Sequence, residues 1–168
     1  ASPDEEALCR AAAQFDVTFC ERTTAEIKLI VGEEPEPERW LLLNTLEFSS
    51  DRKRMSVLVR EASTGRIRIY IKGADDRVAA RVRKGRGTAR GKMHRDTFAE
   101  AGLRTLLVGV RDVPEAEYAA WVATFEEANA AAIEGDFKLI GATAIGDKLH
   151  DGVPDTMLGR ANLHIWML

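Results

Sequence analysis

From Arg66 to Lys72 the chain alternates strictly, with Ile67, Ile69 and Ile71 separated by Arg68 and Tyr70 and flanked by Arg66 and Lys72. Successive side chains of a strand point to opposite faces, so a period of two marks a strand with one face buried and the other polar. The pattern puts Lys72 on the polar face, at the strand's end. Gly73 follows, with no Cβ to block a ligand or a neighbouring backbone. A solvated edge lysine is the simpler reading of the same position.

Val17 to Arg22, Ile27 to Val31, Trp40 to Phe48 and Met55 to Arg60 also read as strands, and Leu103 to Val110 and Phe137 to Ile145 as apolar ones. Thr64-Gly65 marks a turn, and the acidic stretch from Gly32 to Glu38 an exposed loop. Ser2-Pro3-Asp4-Glu5 has the form of a helix start. Ser2 is the N-cap, Pro3 the first helical residue and Glu5 the far end of a capping box, with Ala7, Leu8, Ala11 and Ala12 marking the buried face. Asp75 to Arg83 is predicted helical, and a helix from about His94 to Ala101 stops at Gly102. Pro114 opens a longer helix through about Ile133, with Tyr118, Trp121, Val122 and Phe125 on one face. A short helix and a strand from Leu163 to Leu168 close the chain. The fold class expected is α+β, a twisted antiparallel sheet flanked by helices.

With 168 residues, 45% of them hydrophobic, the chain can bury one compact core, which excludes a disordered tail. A net charge of −3 excludes bulk attraction for polyanions, so affinity for phosphates has to come from local patches. Cys9 and Cys20 lie in apolar-patterned segments without zinc-like spacing and are expected to be buried free thiols in a reducing compartment. No apolar run approaches the roughly 20 residues of a membrane span, and the N-terminus lacks a signal-peptide pattern, so a soluble chain is expected.

The run Leu46-Glu47-Phe48-Ser49-Ser50-Asp51-Arg52-Lys53-Arg54-Met55 sets an aromatic ring five residues ahead of a lysine flanked by two arginines. A ring can stack on a base while nearby cations face phosphates. The same letters also fit a core Phe ending a strand, followed by a solvated charge run. Asp4-Glu5-Glu6-Ala7-Leu8, Lys72-Gly73-Ala74-Asp75 and Gly102-Leu103-Arg104-Thr105-Leu106 complete a set of four segments. In this order and spacing they resemble the nucleotide-binding domain of P-type ATPases. Phe48 to Met55, Lys72 to Asp75 and Asp147-Lys-Leu-His-Asp-Gly-Val-Pro154 look most like the P4 branch, the phospholipid flippases. The resemblance runs from about Ser2 to the C-terminus. Ser50 stands where cation-pumping relatives carry an arginine, and His150 where flippases usually carry Gln.

The resemblance implies a nucleotide-binding domain over residues 1–141 and a partial phosphorylation-domain segment over 142–168. It implies a domain that captures ATP and presents it to a phosphorylation domain largely absent from this chain, within a transporter that couples ATP hydrolysis to phospholipid movement. The chain would then be a cytoplasmic domain of a membrane protein, with the transporter's other domains as partners. Carried onto this sequence, Phe48 stacks on adenine, and Glu5 accepts a hydrogen bond from the adenine amino group, which guanine lacks at that position. Capping is an alternative use of Glu5 that need not exclude the first. Lys72 forms the pocket floor, its stem on the purine and its ammonium on the nucleotide. Lys53 and Arg104 hold the phosphates, a salt bridge to a carboxylate being the simpler reading of Arg104. Asp147 matches the hinge aspartate, on the ribose-facing side. Mg²⁺ accompanies ATP, with its ligands expected outside this chain.

The Asp-Lys-Thr-Gly motif whose aspartate accepts the phosphoryl group does not occur here, and the family's Thr-Gly-Asp would follow Ile165-Trp-Met-Leu168. Binding without turnover is therefore expected, with no catalytic residue in the chain. Gly87-Thr-Ala-Arg-Gly91-Lys92 falls short of a phosphate loop, with one residue too few between the glycines and Met93 after the lysine. His94, His150 and His164 lack metal-ligand spacing. Two rivals stay open. One is a cation-transporting P-type pump. The other is a non-enzymatic module that docks on anionic lipid or nucleic acid through Arg77 to Arg95, eight Lys/Arg without an acid. That stretch has no aromatic residue for base stacking, so a solvated loop is favoured and no nucleic-acid partner is expected.

Overall fold

The computed structural model describes residues 3–83 and 97–146. Their frame is a seven-stranded antiparallel meander in which every strand pairs with its neighbour in sequence. The strands are β1 (Val17–Arg22), β2 (Glu26–Val31), β3 (Glu38–Leu46), β4 (Arg54–Glu61), β5 (Ile67–Gly73), β6 (Arg104–Val113) and β7 (Lys138–Ile145). The helices are α1 (Pro3–Ala13), α2 (Asp75–Ala79) and α3 (Glu115–Ala123), with a 3-10 stretch at Glu127–Ile133. Residues 97–100 are also helical. This is the expected α+β class.

The alternation of β5 decides where the core sits. Ile67, Ile69 and Ile71 are at most 2% exposed, and Leu58, Leu107, Val78, Trp121, Ile133 and Phe137 share their cluster. Each such side chain contributes about 1.5 to 3 kcal/mol by leaving water. Most of the stability therefore lies on this one face of β4 to β6, under α2 and α3. Arg68, Tyr70 and Lys72, on the other face, are half-buried.

The N-terminal side of the sheet is thinner. Helix α1 packs against β1 and buries no residue; Leu8 and Ala12 are half-buried, whereas Ala7 and Ala11 are exposed. Cys9 and Cys20 are exposed as well, which corrects the expectation of buried thiols. Cys20 falls at a β-bulge, skipped in the register between Phe19↔Leu29 and Glu21↔Lys28. An extra residue at a bulge leaves the ladder and loses its place on a face, so apolar spacing misjudged it.

The long helix predicted from Pro114 to Ile133 is two pieces. Thr124 turns its hydroxyl back onto the Ala120 and Trp121 carbonyls, and Asn129 donates to the Thr124 carbonyl and accepts from the Glu126 amide. Glu126 is extended, with φ −132° and ψ 153°. Short polar side chains that satisfy the backbone locally compete with helix, and here they restart it as a 3-10 turn. Of the predicted apolar face, Trp121 is buried while Val122 and Phe125 are exposed. Helix α2 is also shorter than predicted, because Arg83 N–H and Phe137 N–H bond across to the Phe137 and Arg81 carbonyls in place of further helical bonds.

Gly102 ends its helical turn with φ +72°, and the Leu103 amide reaches back to the Phe98 carbonyl, as a C′ glycine allows. Strand β7 runs through positions 141 and 142. Ser2, the stretch after Arg83 predicted to be a basic loop, and the segment predicted to form the C-terminal helix and strand lie outside the described residues. Among those described, no helix is long and apolar enough to cross a membrane.

Candidate functional site

A meander brings the exits of odd strands and the entries of even ones to the same end of the sheet. Phe48 follows β3, Lys53 precedes β4, Lys72 is near the end of β5, and Arg104 opens β6 opposite Ile145 at the end of β7. Four residues spread over 57 positions of sequence thus share one end of the sheet. Asp147 lies outside the described residues.

Lys72 is registered between Met55 of β4 and Val108 of β6, and Tyr70 between Val57 and Val110. Directly opposed residues share a face. All six are half-buried, so the lysine rises from an apolar surface that is only partly covered. The cross-strand register was the signal needed to find Val57, Val108 and Val110, and the sequence does not print it.

Helix α1 presents its first turn to this end. Glu5 Oε1 lies 3.3 Å from Lys72 Nζ, and Asp4 pairs with Arg104. Two adjacent carboxylates therefore meet cations on two adjacent strands. Acidic residues also suit the positive end of a helix. The Glu5 and Lys72 side chains are 43% and 29% exposed, and pairs so open to water contribute about 0 to 1 kcal/mol. They can exchange for a ligand at little cost. The simpler reading of Arg104, a salt bridge to a carboxylate, describes what it does here; Asp4 is the partner that sequence reasoning left out.

Phe48 is 61% exposed. The core-Phe reading of the motif is excluded, and a large ring stands open at the sheet's end. The two arginines beside Lys53 do not face outward with it. Arg54, 5% exposed, and Arg52 both pair with Glu134, with Nη2 contacts of 2.6 Å each, and Ser56 Oγ donates to the same carboxylate at 2.6 Å. Lys53 between them is exposed and has φ +49°. The charge run thus splits into one outward cation and two that hold a buried carboxylate. Removing Glu134 would strand those cations, at about 3 to 5 kcal/mol.

Gly73 serves a neighbouring backbone. A Cβ there would lie 2.5 Å from both the Lys53 carbonyl oxygen and Arg54 Cβ. The Lys53 carbonyl accepts from Ala74 N–H at 2.9 Å. The Lys-Gly-Ala segment and the Lys53 turn are therefore one unit, and glycine is what lets them touch.

A cleft of about 580 Å³ borders the far half of β5 and β6, lined by residues such as Arg68, Tyr70, Arg111 and Lys138. It contains none of Glu5, Phe48, Lys53, Lys72 and Arg104, although Tyr70 and Val110 of the half-buried row also line it. Its charges are largely matched, as in the Arg68–Asp112 and Arg111–Glu117 pairs.

Comparison with known proteins identifies the family. Residues 1–152 match the family described as P-type ATPase, cytoplasmic domain N. The chain is 43% identical over 185 residues to phospholipid-transporting ATPase IK of Mus musculus, covering 100% of this chain and 14% of that protein. It is 39% identical over 184 residues to phospholipid-transporting ATPase IC of Xenopus tropicalis, again 100% and 14%. Phospholipid-transporting ATPase 10 of Arabidopsis thaliana is 40% identical over 190 residues, 99% of this chain and 16% of that protein. The chain thus spans about a seventh of the length of these relatives. It belongs to the P-type ATPase family as a cytoplasmic N domain, similar to those of phospholipid-transporting members.

Proposed function

We propose that this domain binds ATP at the end of the sheet that carries Phe48, Lys53, Lys72 and Arg104, and presents it to a phosphorylation domain. The observation that carries the reading is Lys72 rising from the half-buried row Met55–Lys72–Val108, with an open aromatic ring at the same end of the sheet. A purine needs an apolar slot, a few polar groups at its edge and cations farther out, and the residue types here fit that order. Phe48 stacks on the base, Glu5 accepts from the adenine amino group, and Lys72 closes the floor. Lys53 and Arg104 hold the phosphates, with Asp147 on the ribose side. Mg²⁺ accompanies the phosphates on ligands from outside the chain. Bound ATP supplies the phosphoryl group; the chain's part is to hold it in line with an acceptor, which is most of what such a transfer requires.

The names of the relatives support a further step: in a longer transporter, on the cytoplasmic side of a membrane, this binding drives phospholipid movement, with the segment from residue 142 onward leading into the phosphorylation domain. A cation pump is the rival. A transport assay on the full-length transporter, offering lipid and cation substrates in turn, separates the two. Amide shifts on adding ATP test the site itself. Perturbations centred on Glu5, Phe48, Lys72 and Arg104 support it. Shifts confined to Arg77 to Arg95, produced equally by anionic vesicles and abolished by salt, favour the basic-face module.

A further inference from the structure

Phe48 is exposed, so packing does not set its direction. Its neighbours do. Arg52 Nη1 donates to the Glu47 carbonyl at 2.7 Å, immediately before the ring, while Nη2 reaches Glu134 Oε1 at 2.6 Å. On the other side of the ring, Ser49 accepts twice: its hydroxyl from the Arg52 amide at 3.2 Å and its carbonyl from the Lys53 amide at 2.7 Å. One guanidinium thus ties both ends of the segment 47–52 to a single carboxylate.

That carboxylate is itself fixed. The Glu134 side chain is 0% exposed and takes Arg54 Nε at 2.8 Å and Ser56 Oγ at 2.6 Å, both from the start of β4. Ile133 before it is 2% exposed, and its carbonyl accepts Arg111 Nη2 at 2.8 Å. The brace therefore stands on the main core, 80 residues away in sequence from Arg54.

We infer that Glu134, acting through Arg52 and Arg54, is the positioning residue of the nucleotide site. It touches no ligand. It holds the 47–54 turn so that Phe48 and Lys53 leave it at fixed places beside Lys72-Gly73. The inference rests on the ATP-binding reading and adds to it a residue outside the four segments that carry the family resemblance. A side chain held in advance does not have to be ordered when a ligand arrives, and that ordering is otherwise subtracted from affinity.

Glu134→Gln removes the charge but risks the fold, so Arg52→Ala is the primary variant; its side chain is 24% exposed and can leave without opening the core. Two quantities are measured on the full chain: ATP affinity, and hydrogen exchange of the Lys53 and Ala74 amides without nucleotide. The expected result is a folded protein with exchange at both amides about tenfold faster and ATP binding about tenfold weaker, a change of 1.4 kcal/mol. A variant that loses thermal stability but keeps wild-type exchange and ATP affinity overturns the inference. The nucleotide-free exchange also separates the two claims. If wild type binds no ATP, the functional reading fails, and with it the role of the brace toward ATP, whereas unchanged exchange in the variant defeats the brace alone.

Discussion

Replacing Gly73 with alanine asks whether the Lys53 turn and the end of β5 are locked together. The added methyl would sit 2.5 Å from Arg54 Cβ, 2.5 Å from the Lys53 carbonyl oxygen and 2.7 Å from Arg54 Cα. Carbon atoms prefer roughly 3.5 to 4.0 Å, so the two segments must part by about an ångström. The opposing atoms are backbone or the root of a side chain, and no rotamer change relieves them. Overpacking of this kind costs about 1 to 3 kcal/mol. Parting the segments also breaks the 2.9 Å bond from Ala74 N–H to the Lys53 carbonyl, about 1 kcal/mol more. The expected loss is about 2 to 4 kcal/mol, a Tm lower by roughly 5 to 15 °C for a domain of this size. Urea unfolding followed by circular dichroism gives the number directly. Gly141→Ala is the control, because a methyl there meets nothing within 4 Å; its stability should stay within about 0.5 kcal/mol of wild type. If Gly73→Ala were as harmless as the control, the close approach of β5 to the Lys53 turn would be wrong.

Phe48→Ala should leave urea stability within about 0.5 kcal/mol of wild type, since the ring is mostly in water, while weakening ATP binding by about 1 to 3 kcal/mol of lost stacking. A large stability loss would mean that the ring packs on the domain. The Glu115 carboxyl is held below its ordinary 4.5 by hydrogen bonds from Arg60, against a smaller opposing push from burial. Its contribution is therefore present above the unfolded-chain value and fades as pH falls through the lower folded value. Unfolding measured between pH 3 and about pH 7 should show Glu115→Gln losing stability relative to wild type at the upper end, with the two curves converging on the acid side. A constant gap across that window would rule out the pair as the cause.

Sequence pattern read well wherever local rules and tertiary structure agreed. The Ile67-Ile69-Ile71 stripe became the centre of the core, and Gly102 stopped its helical turn at positive φ. It failed where the deciding partner was distant or the rule was broken by one residue. Cys20 sits at a bulge, which alternation cannot foresee. Thr124 and Asn129 divide a segment whose apolar spacing alone continues as helix. In the site, Phe48 and Lys72 stood out through the four segments of the resemblance; local pattern alone also fitted a core ring and an edge lysine, and only the fold shows the ring exposed and the lysine half-buried in a cross-strand row. The pairing of Arg52 and Arg54 with Glu134 was not legible, since that partner lies far along the chain with nothing local to mark it, and a solvated charge run fitted the same letters.

Calorimetric titration of the full chain with ATP, and separately with GTP, tests the central claim most directly. The account predicts saturable ATP binding tighter than millimolar, which is about −4 kcal/mol, with GTP clearly weaker because Glu5 meets a carbonyl where adenine offers an amino group. Absence of binding at several millimolar ATP, or equal affinity for both nucleotides, would contradict it.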